Sequence, residues 1–218
     1  MGGCFLDWWA GAGAITDDDS CVERWYDNSG RHNHAGQTTP ARRPVYDPNG
    51  GPNGQPALVW DANDRGLVVE GMNASLDDMT LFVVLDQVSF KGGAASQRLL
   101  HQLNGVFLEE AGSPVVGIAD PAVRQVGPAV LGPQILEYRL DKTAGTVEVF
   151  RNAVSIGSDT YDGTNGLSGS TGVGAGPAAA ADNSCRIKLS ELFAFDRLLS
   201  EAERGALYRC LDRRYRLL

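Results

Sequence analysis

Hydrophobic and polar positions alternate with a period of two along much of this chain and turn to a helical period only near its end. Leu136, Tyr138 and Leu140 alternate with Glu137 and Arg139, residues 141–145 are turn formers, and Val147 and Val149 flank Glu148. This pattern predicts a β-hairpin, and a second turn at 151–153 leads into a strand over 154–156. Shorter apolar runs at Pro56-Ala57-Leu58-Val59-Trp60 and Leu67–Val69 read as strands, and Ile187–Phe195 as the last strong one. Residues 80–85 are apolar almost throughout, as expected of a strand covered on both faces. Residues 28–56 are dense in Gly, Pro, Asn and Asp and leave no room for a helix, while 163–177 reads as a long surface loop without a phosphate-cradling motif.

The helical period follows Ser200. Ser200-Glu201-Ala202-Glu203 fits a capping box, with Glu203 reaching back to the Ser200 amide. Leu207, Cys210, Leu211 and Tyr215 then recur at helical spacing and form the expected docking stripe. Many short strands and one late helix predict an all-β sandwich or jelly roll with a C-terminal helix. No break in composition divides the 218 residues, which read as a single domain, 1–218.

Hydrophobic residues at 43% and charged residues at 21% exclude wholesale disorder, and 27 glycines suit a turn-rich β protein. The chain carries 19 basic and 27 acidic residues, a net charge of −8, which disfavours nucleic acid or an anionic membrane as partner. The charge is uneven: residues 186–218 hold eight basic and five acidic side chains, net +3, and the preceding 185 residues are net −11. The basic end reads as a solvated helix face. No apolar run is long enough to span a membrane. The N-terminal stretch is apolar but has no basic leader and contains Asp7, so a signal peptide is not expected and folding in a cytosol is. Cys4, Cys21, Cys185 and Cys210 lack a CxxC spacing, so zinc is not expected and free thiols are, with any pairing left open.

Three stretches carry a family resemblance. Trp25-Tyr26-Asp27-Asn28-Ser29-Gly30-Arg31-His32-Asn33-His34-Ala35 resembles a W-x-D-x-S-G-x-x-N-H-A opening. Arg43-Pro44, followed by Asn53-Gly54-Gln55-Pro56-Ala57-Leu58-Val59-Trp60-Asp61, resembles R-P … N-G-x-P-A-L-x-F-D. Ser190 to Ser200, with the helix after it, resembles a closing strand and helix. Together they resemble the laminin-G-like, concanavalin A-like lectin jelly rolls of bacterial and phage proteins. Two departures stand out: Asp61-Ala62-Asn63-Asp64 replaces a D-G pair, and Asn152-Ala153 replaces an N-G hairpin. The stretch 91–133 matches nothing in the family. Such a fold hosts lectins, glycosidases and structural modules alike.

Glycoside hydrolysis needs two carboxylates across a cleft. The E-x-D-x-x-E strand motif of glucanases with this fold is absent, since no Glu has Asp two residues later. Glu70, Glu109, Glu110, Glu148 and Glu191 are scattered, and Glu137 and Glu148 read as solvated. A non-catalytic chain is therefore expected. His32-Asn33-His34 is read, as the resemblance implies, with His34 packed or hydrogen-bonded after the Ser29-Gly30 turn rather than as a metal pair. Calcium, which jelly rolls of this kind often hold, is expected at Asp61, Asn63 and Asp64, with Asp17-Asp18-Asp19 a weaker cluster. Trp8 and Trp9 are adjacent, so in a strand one faces in and one out. Trp9, and Tyr46 and Tyr161 in loop-like contexts, are the expected glycan contacts, while Trp25 and Trp60 belong to the core. Asn73-Ala74-Ser75 is a glycosylation sequon, meaningful only in a secretory pathway.

These readings combine into an expected function: a phage virion module, a capsid decoration or tail appendage, made in the host cytoplasm. Its expected partners are other virion proteins and cell-surface glycans, with a homo-oligomer left open because no heptad or repeat shows one. The alternatives are an extracellular bacterial carbohydrate-binding module and a jelly-roll glycosidase with an unfamiliar carboxylate pair. The apolar segment 5–15 is expected to close the jelly roll.

Overall fold

A computed structural model describes residues 4–61, 65–69, 77–93, 96–101, 105–120, 122–163, 171–174 and 185–218. In chain order the strands are β1 (Cys4–Trp9), β2 (Ala14–Thr16), β3 (Val22–Trp25), β4 (Ala35–Gly36), β5 (Val45–Asp47), β6 (Ala57–Trp60), β7 (Leu67–Val69), β8 (Met79–Gln87) and β9 (Gln97–Arg98). They continue with β10 (Phe107–Glu109), β11 (Val115–Asp120), β12 (Ala122–Pro128), β13 (Gly132–Asp141), β14 (Thr146–Arg151), β15 (Val154–Thr160), β16 (Thr171–Val173) and β17 (Ile187–Phe195). Helix α1 (Glu201–Tyr215) follows.

One eight-stranded sheet runs β15-β14-β13-β8-β17-β6-β5, with β1 also on β17. A five-stranded sheet, β16-β7-β4-β3-β2, and a four-stranded sheet, β12-β11-β10-β9, make the second layer. A Leu100–Val173 bridge links these two, and a Cys21–Val45 bridge ties the second layer to the rim of the first. The fold is thus an all-β sandwich with one C-terminal helix.

Strand β17 organises the large sheet, because two strands share one of its edges. Ile187–Leu189 pair with Trp60–Leu58 of β6, and Glu191–Phe195 pair with Trp9–Cys4 of β1. The handover falls at Ser190, where the β17–β8 register also shifts. The Ala10 amide donates to the Ser190 carbonyl at 2.9 Å and so fixes where β1 ends. The apolar N-terminal segment therefore closes the sheet.

The large sheet is covered on both faces, which accounts for the unbroken apolar run of β8. Leu81, Val83 and Leu85 point into the inter-sheet core with Leu136, Tyr138, Val147 and Leu192, against Trp25, Val69, Leu108 and Ile118 of the second layer. Phe82 and Val84 point the other way, with Ile135 and Phe195, and meet Leu207, Tyr208, Leu211 and Tyr215 of α1. Removing each such side chain from water stabilises the fold by roughly 1.5–3 kcal/mol. The capping box at Ser200 forms as expected: Ser200 Oγ accepts from the Glu203 amide at 3.4 Å, and Glu203 Oε2 accepts from the Ser200 amide at 2.9 Å.

Three expectations are corrected. Cys210 is exposed, and Tyr208 takes its place in the docking stripe because it faces the sheet beside Leu211. Within 163–177, Thr171–Val173 form a buried strand on β7, too short and glycine-flanked for alternation to reveal; 164–170 and 175–177 lie outside the described residues. Glu137 is fully buried rather than solvated, because the face of β13 that alternation assigns to water is roofed by α1.

Candidate functional site

Alternation along β1 sends Leu6 and Trp8 into the core and leaves Asp7 and Trp9 on the outer face, under the C-terminal end of α1. Trp9 pairs in register with Glu191 of β17, and Asp7 with Phe193. The Arg214 guanidinium carbon lies 4.4 Å from the centroid of the half-buried Trp9 ring, a cation–π arrangement. Arg214 Nη1 donates to Glu191 Oε1 at 2.7 Å, the Tyr215 hydroxyl donates to Oε2 at 2.9 Å, and Asn53 Nδ2 holds the Arg214 carbonyl at 3.0 Å. Gly11 packs so closely on the indole that a Cβ there would sit 2.3 Å from it. The ring is therefore held in one orientation by a glycine and an arginine.

The electrostatics of this corner are those of carboxylates crowded under a lid. Burial pushes the Asp7 carboxyl above the usual carboxylate range and Asp27 adds to it, with Arg214 opposing. Burial also raises Glu191, against the pull of Arg214 and the Tyr215 hydroxyl. The Cys4 thiol beside them is pushed up to about 12, chiefly by burial and then by Asp7 and Asp27.

The turn after β3 abuts the same corner. The buried Asp27 carboxylate accepts from the Asp7 amide at 3.0 Å, the Ser29 amide at 2.9 Å, the Ser29 hydroxyl at 2.7 Å and the Asn33 amide at 3.0 Å. The Asp27 amide donates to His34 Nδ1 at 3.0 Å, as the sequence reading of His34 expects; that nitrogen is therefore the unprotonated one. The Tyr26 and His34 rings meet edge to face at 4.7 Å, and the exposed His32 lies 5.7 Å from His34. Trp9, Arg214 and Asp7 offer an aromatic ring, a cationic donor and a carboxylate, the chemistry that engages a sugar's C–H face and hydroxyls.

Of the expected ligand contacts, only Trp9 lies in this corner. Tyr46 is half-buried on β5 and packs against the core. Tyr161 is 3% exposed: its amide is tied to the Gly145 carbonyl at 2.9 Å just past β15, and its ring joins the inter-sheet core. Of the calcium cluster, Asp61 is exposed with Oδ1 3.2 Å from Arg65 Nε, while Asn63 and Asp64 lie outside the described residues, as does the sequon at 73–75. In the second acidic cluster, Asp17 accepts from the Asp19 and Cys21 amides and from Arg43 at 2.9 Å. Among the described residues, no group of three His, Cys, Asp or Glu side chains is placed to hold a metal. Sequence reasoning missed Asp7, Glu191 and Arg214 as a unit. The signal within reach was Asp7-x-Trp9 on the outer face of one strand.

No protein-family model and no curated protein matches the chain. Solved structures do. A Trypanosoma rangeli sialidase in complex with 2,3-difluorosialic acid superposes with a TM-score of 0.63 at 12% identity over 97% of this chain. This chain spans about a third of the sialidase's length. Domain 4 of AbnA, a GH43 extracellular arabinanase from Geobacillus stearothermophilus, solved in complex with arabinotriose, gives a TM-score of 0.62 at 14% identity, covering 94% of this chain and 98% of that one. The binding domain of Paraclostridial Mosquitocidal Protein 1 gives 0.63 at 13% identity, over 95% of this chain and 52% of that one. At these identities the likeness is one of fold: a β-sandwich into which a concanavalin A-like jelly roll fits coarsely. The expectation of a non-catalytic chain is overturned by the sialidase match, since the same sandwich forms part of a glycosidase. The missing E-x-D-x-x-E motif excludes one arrangement of carboxylates and not glycoside hydrolysis.

Proposed function

We propose that this chain is a glycan-binding β-sandwich module whose saccharide contacts centre on Trp9. The observation that carries the reading is the half-buried Trp9, fixed by Arg214 and Gly11 at a corner that also holds Asp7 and Glu191. A ring already immobilised loses little entropy on binding, and the neighbouring polar groups supply orientation. The likeness to AbnA domain 4 supports it, because the correspondence runs over nearly the full length of both chains and that domain was solved with arabinotriose.

The test is a glycan array followed by calorimetry on the oligosaccharides it selects, arabino-oligosaccharides included. Saturable binding that drops at least tenfold in W9A, with the thermal transition intact, is the expected result. Absence of any saccharide binding, or binding indifferent to W9A, overturns the reading. Chromatography of the same mixtures reports whether a glycosidic bond is also cleaved. A finer reading places the module on a phage particle as a decoration or tail appendage. Density-gradient separation of native lysate with mass spectrometry tests it: co-migration with particles supports it, and confinement to the soluble fraction overturns it.

A further inference from the structure

We infer that Asn49 is a site of spontaneous deamidation, converting in the native protein to a mixture of aspartyl and isoaspartyl residues, whereas Asn53 is kept as asparagine by its bond to α1. The tripeptide Pro-Asn-Gly occurs twice in the loop between β5 and β6, at Pro48-Asn49-Gly50 and at Pro52-Asn53-Gly54. Glycine after asparagine favours this reaction, because no side chain shields the attacking backbone nitrogen. The two copies share that chemistry, so structure sets any difference between them.

In the reaction the Gly50 nitrogen gives its proton to water and bonds to the side-chain carbonyl carbon of Asn49. The bond from that carbon to Nδ2 breaks, and ammonia leaves. Water then opens the five-membered imide at either carbonyl. The net change is one water consumed, one ammonia released and one carboxylate gained. Both reacting groups must be free to meet. Asn49 is exposed, and its carboxamide makes no hydrogen bond among the described residues. Only its backbone amide is engaged, donating to Asp47 Oδ1 at 3.0 Å. The attacking Gly50 amide is held by one long bond, 3.4 Å to the Asp47 carbonyl.

Asn53 is also exposed, yet both of its reacting groups are tied. Its Nδ2 donates to the Arg214 carbonyl at 3.0 Å, and the Gly54 amide donates to the Gly51 carbonyl at 3.1 Å. The Arg214 carbonyl is one of those that a helix end leaves without an intrahelical partner. Loss of Nδ2 as ammonia would remove its donor and set a carboxylate against it, so the docked helix opposes conversion. Conversion at Asn49 breaks no such contact and places its new charge beside Asp47.

The experiment incubates the full chain at mildly alkaline pH and follows both tripeptides by peptide mapping and mass spectrometry, with fragmentation to identify isoaspartate. Residue 49 is expected to gain one mass unit at least tenfold faster than residue 53. A tenfold gap is about 1.4 kcal/mol of barrier, on the scale of the hydrogen bonds that must open first at Asn53. In urea strong enough to unfold the chain, the two positions are expected to convert at comparable rates. Asn53 converting as fast as Asn49 in the native chain overturns the inference. So does an Asn49 that is inert in the native chain and converts in urea, or a tenfold gap that persists in urea.

Discussion

Arg204 on α1 and Glu137 on β13 lie 67 residues apart in sequence and meet under the helix, with Arg204 Nη2 donating to Glu137 Oε2 at 2.8 Å. The Tyr208 hydroxyl donates to the same oxygen at 2.9 Å. About two to three turns further on, Arg214 and Tyr215 hold the two oxygens of Glu191 of β17. Two sheet carboxylates, each clasped by an arginine and a tyrosine, fix the register of α1 on the sheet. Removing one partner of a buried pair leaves the other uncompensated, at a cost of about 3–5 kcal/mol. E137A is therefore expected to be severely destabilised in denaturant melts. The isosteric apolar pair E137L/R204M is expected to recover most of the loss, because neither charge is then stranded.

Trp8 and Trp9 separate stability from binding. Trp8 is fully buried, stacks on Trp25 at 5.6 Å and donates from Nε1 to the Asn33 carbonyl at 3.1 Å. W8A is expected to cost about 3–5 kcal/mol, as large-to-small core changes do. W9A is expected to cost clearly less while losing the saccharide. Paired urea melts and calorimetry check the contrast.

Gly117 of β11 has no space for a side chain: a Cβ there would sit 1.9 Å from the Arg124 carbonyl oxygen and 2.7 Å from the Phe107 ring. The first of these is backbone of β12 and has nowhere to go. G117A is expected to destabilise by about 1–3 kcal/mol or more, or to shift the β11–β12 register, as hydrogen exchange on the two strands reports.

Two carboxylates tune stability with pH in opposite senses. Asp7 is raised above its ordinary 3.8, so it binds its proton more tightly in the native state. Its contribution improves as pH falls through the raised pKa towards 3.8. Glu203 is lowered to about 2 by its bond to Arg197 and then by Ser200, so its contribution is present above 4.5 and fades as pH falls towards 2. D7N is expected to flatten the pH profile of the melting temperature on the acid side of neutrality. E203Q is expected to remove part of the decline below pH 4.5. Profiles that coincide with the parent refute both.

Sequence alone determined the β-hairpin at β13–β14, the buried strand β8, the closing strand β17, the capping box at Ser200 and the core positions of Trp25 and Trp60. Each is local: alternation, turn chemistry and cap spacing act within a few residues and need no knowledge of what packs above. What lay above each face was decided by the tertiary structure. Glu137 reads as solvent-facing because alternation distinguishes two faces of a strand without saying that a helix covers the second. Tyr161 reads as a loop residue because nothing near it in sequence shows that the chain carries it into the core. The corner of Asp7, Trp9, Glu191 and Arg214 draws on residues more than 180 positions apart, so Trp9 was legible and its companions were not. Strand pairing at the edge of β17 and the pitch of α1 bring them together, and both depend on contacts that only the folded chain makes.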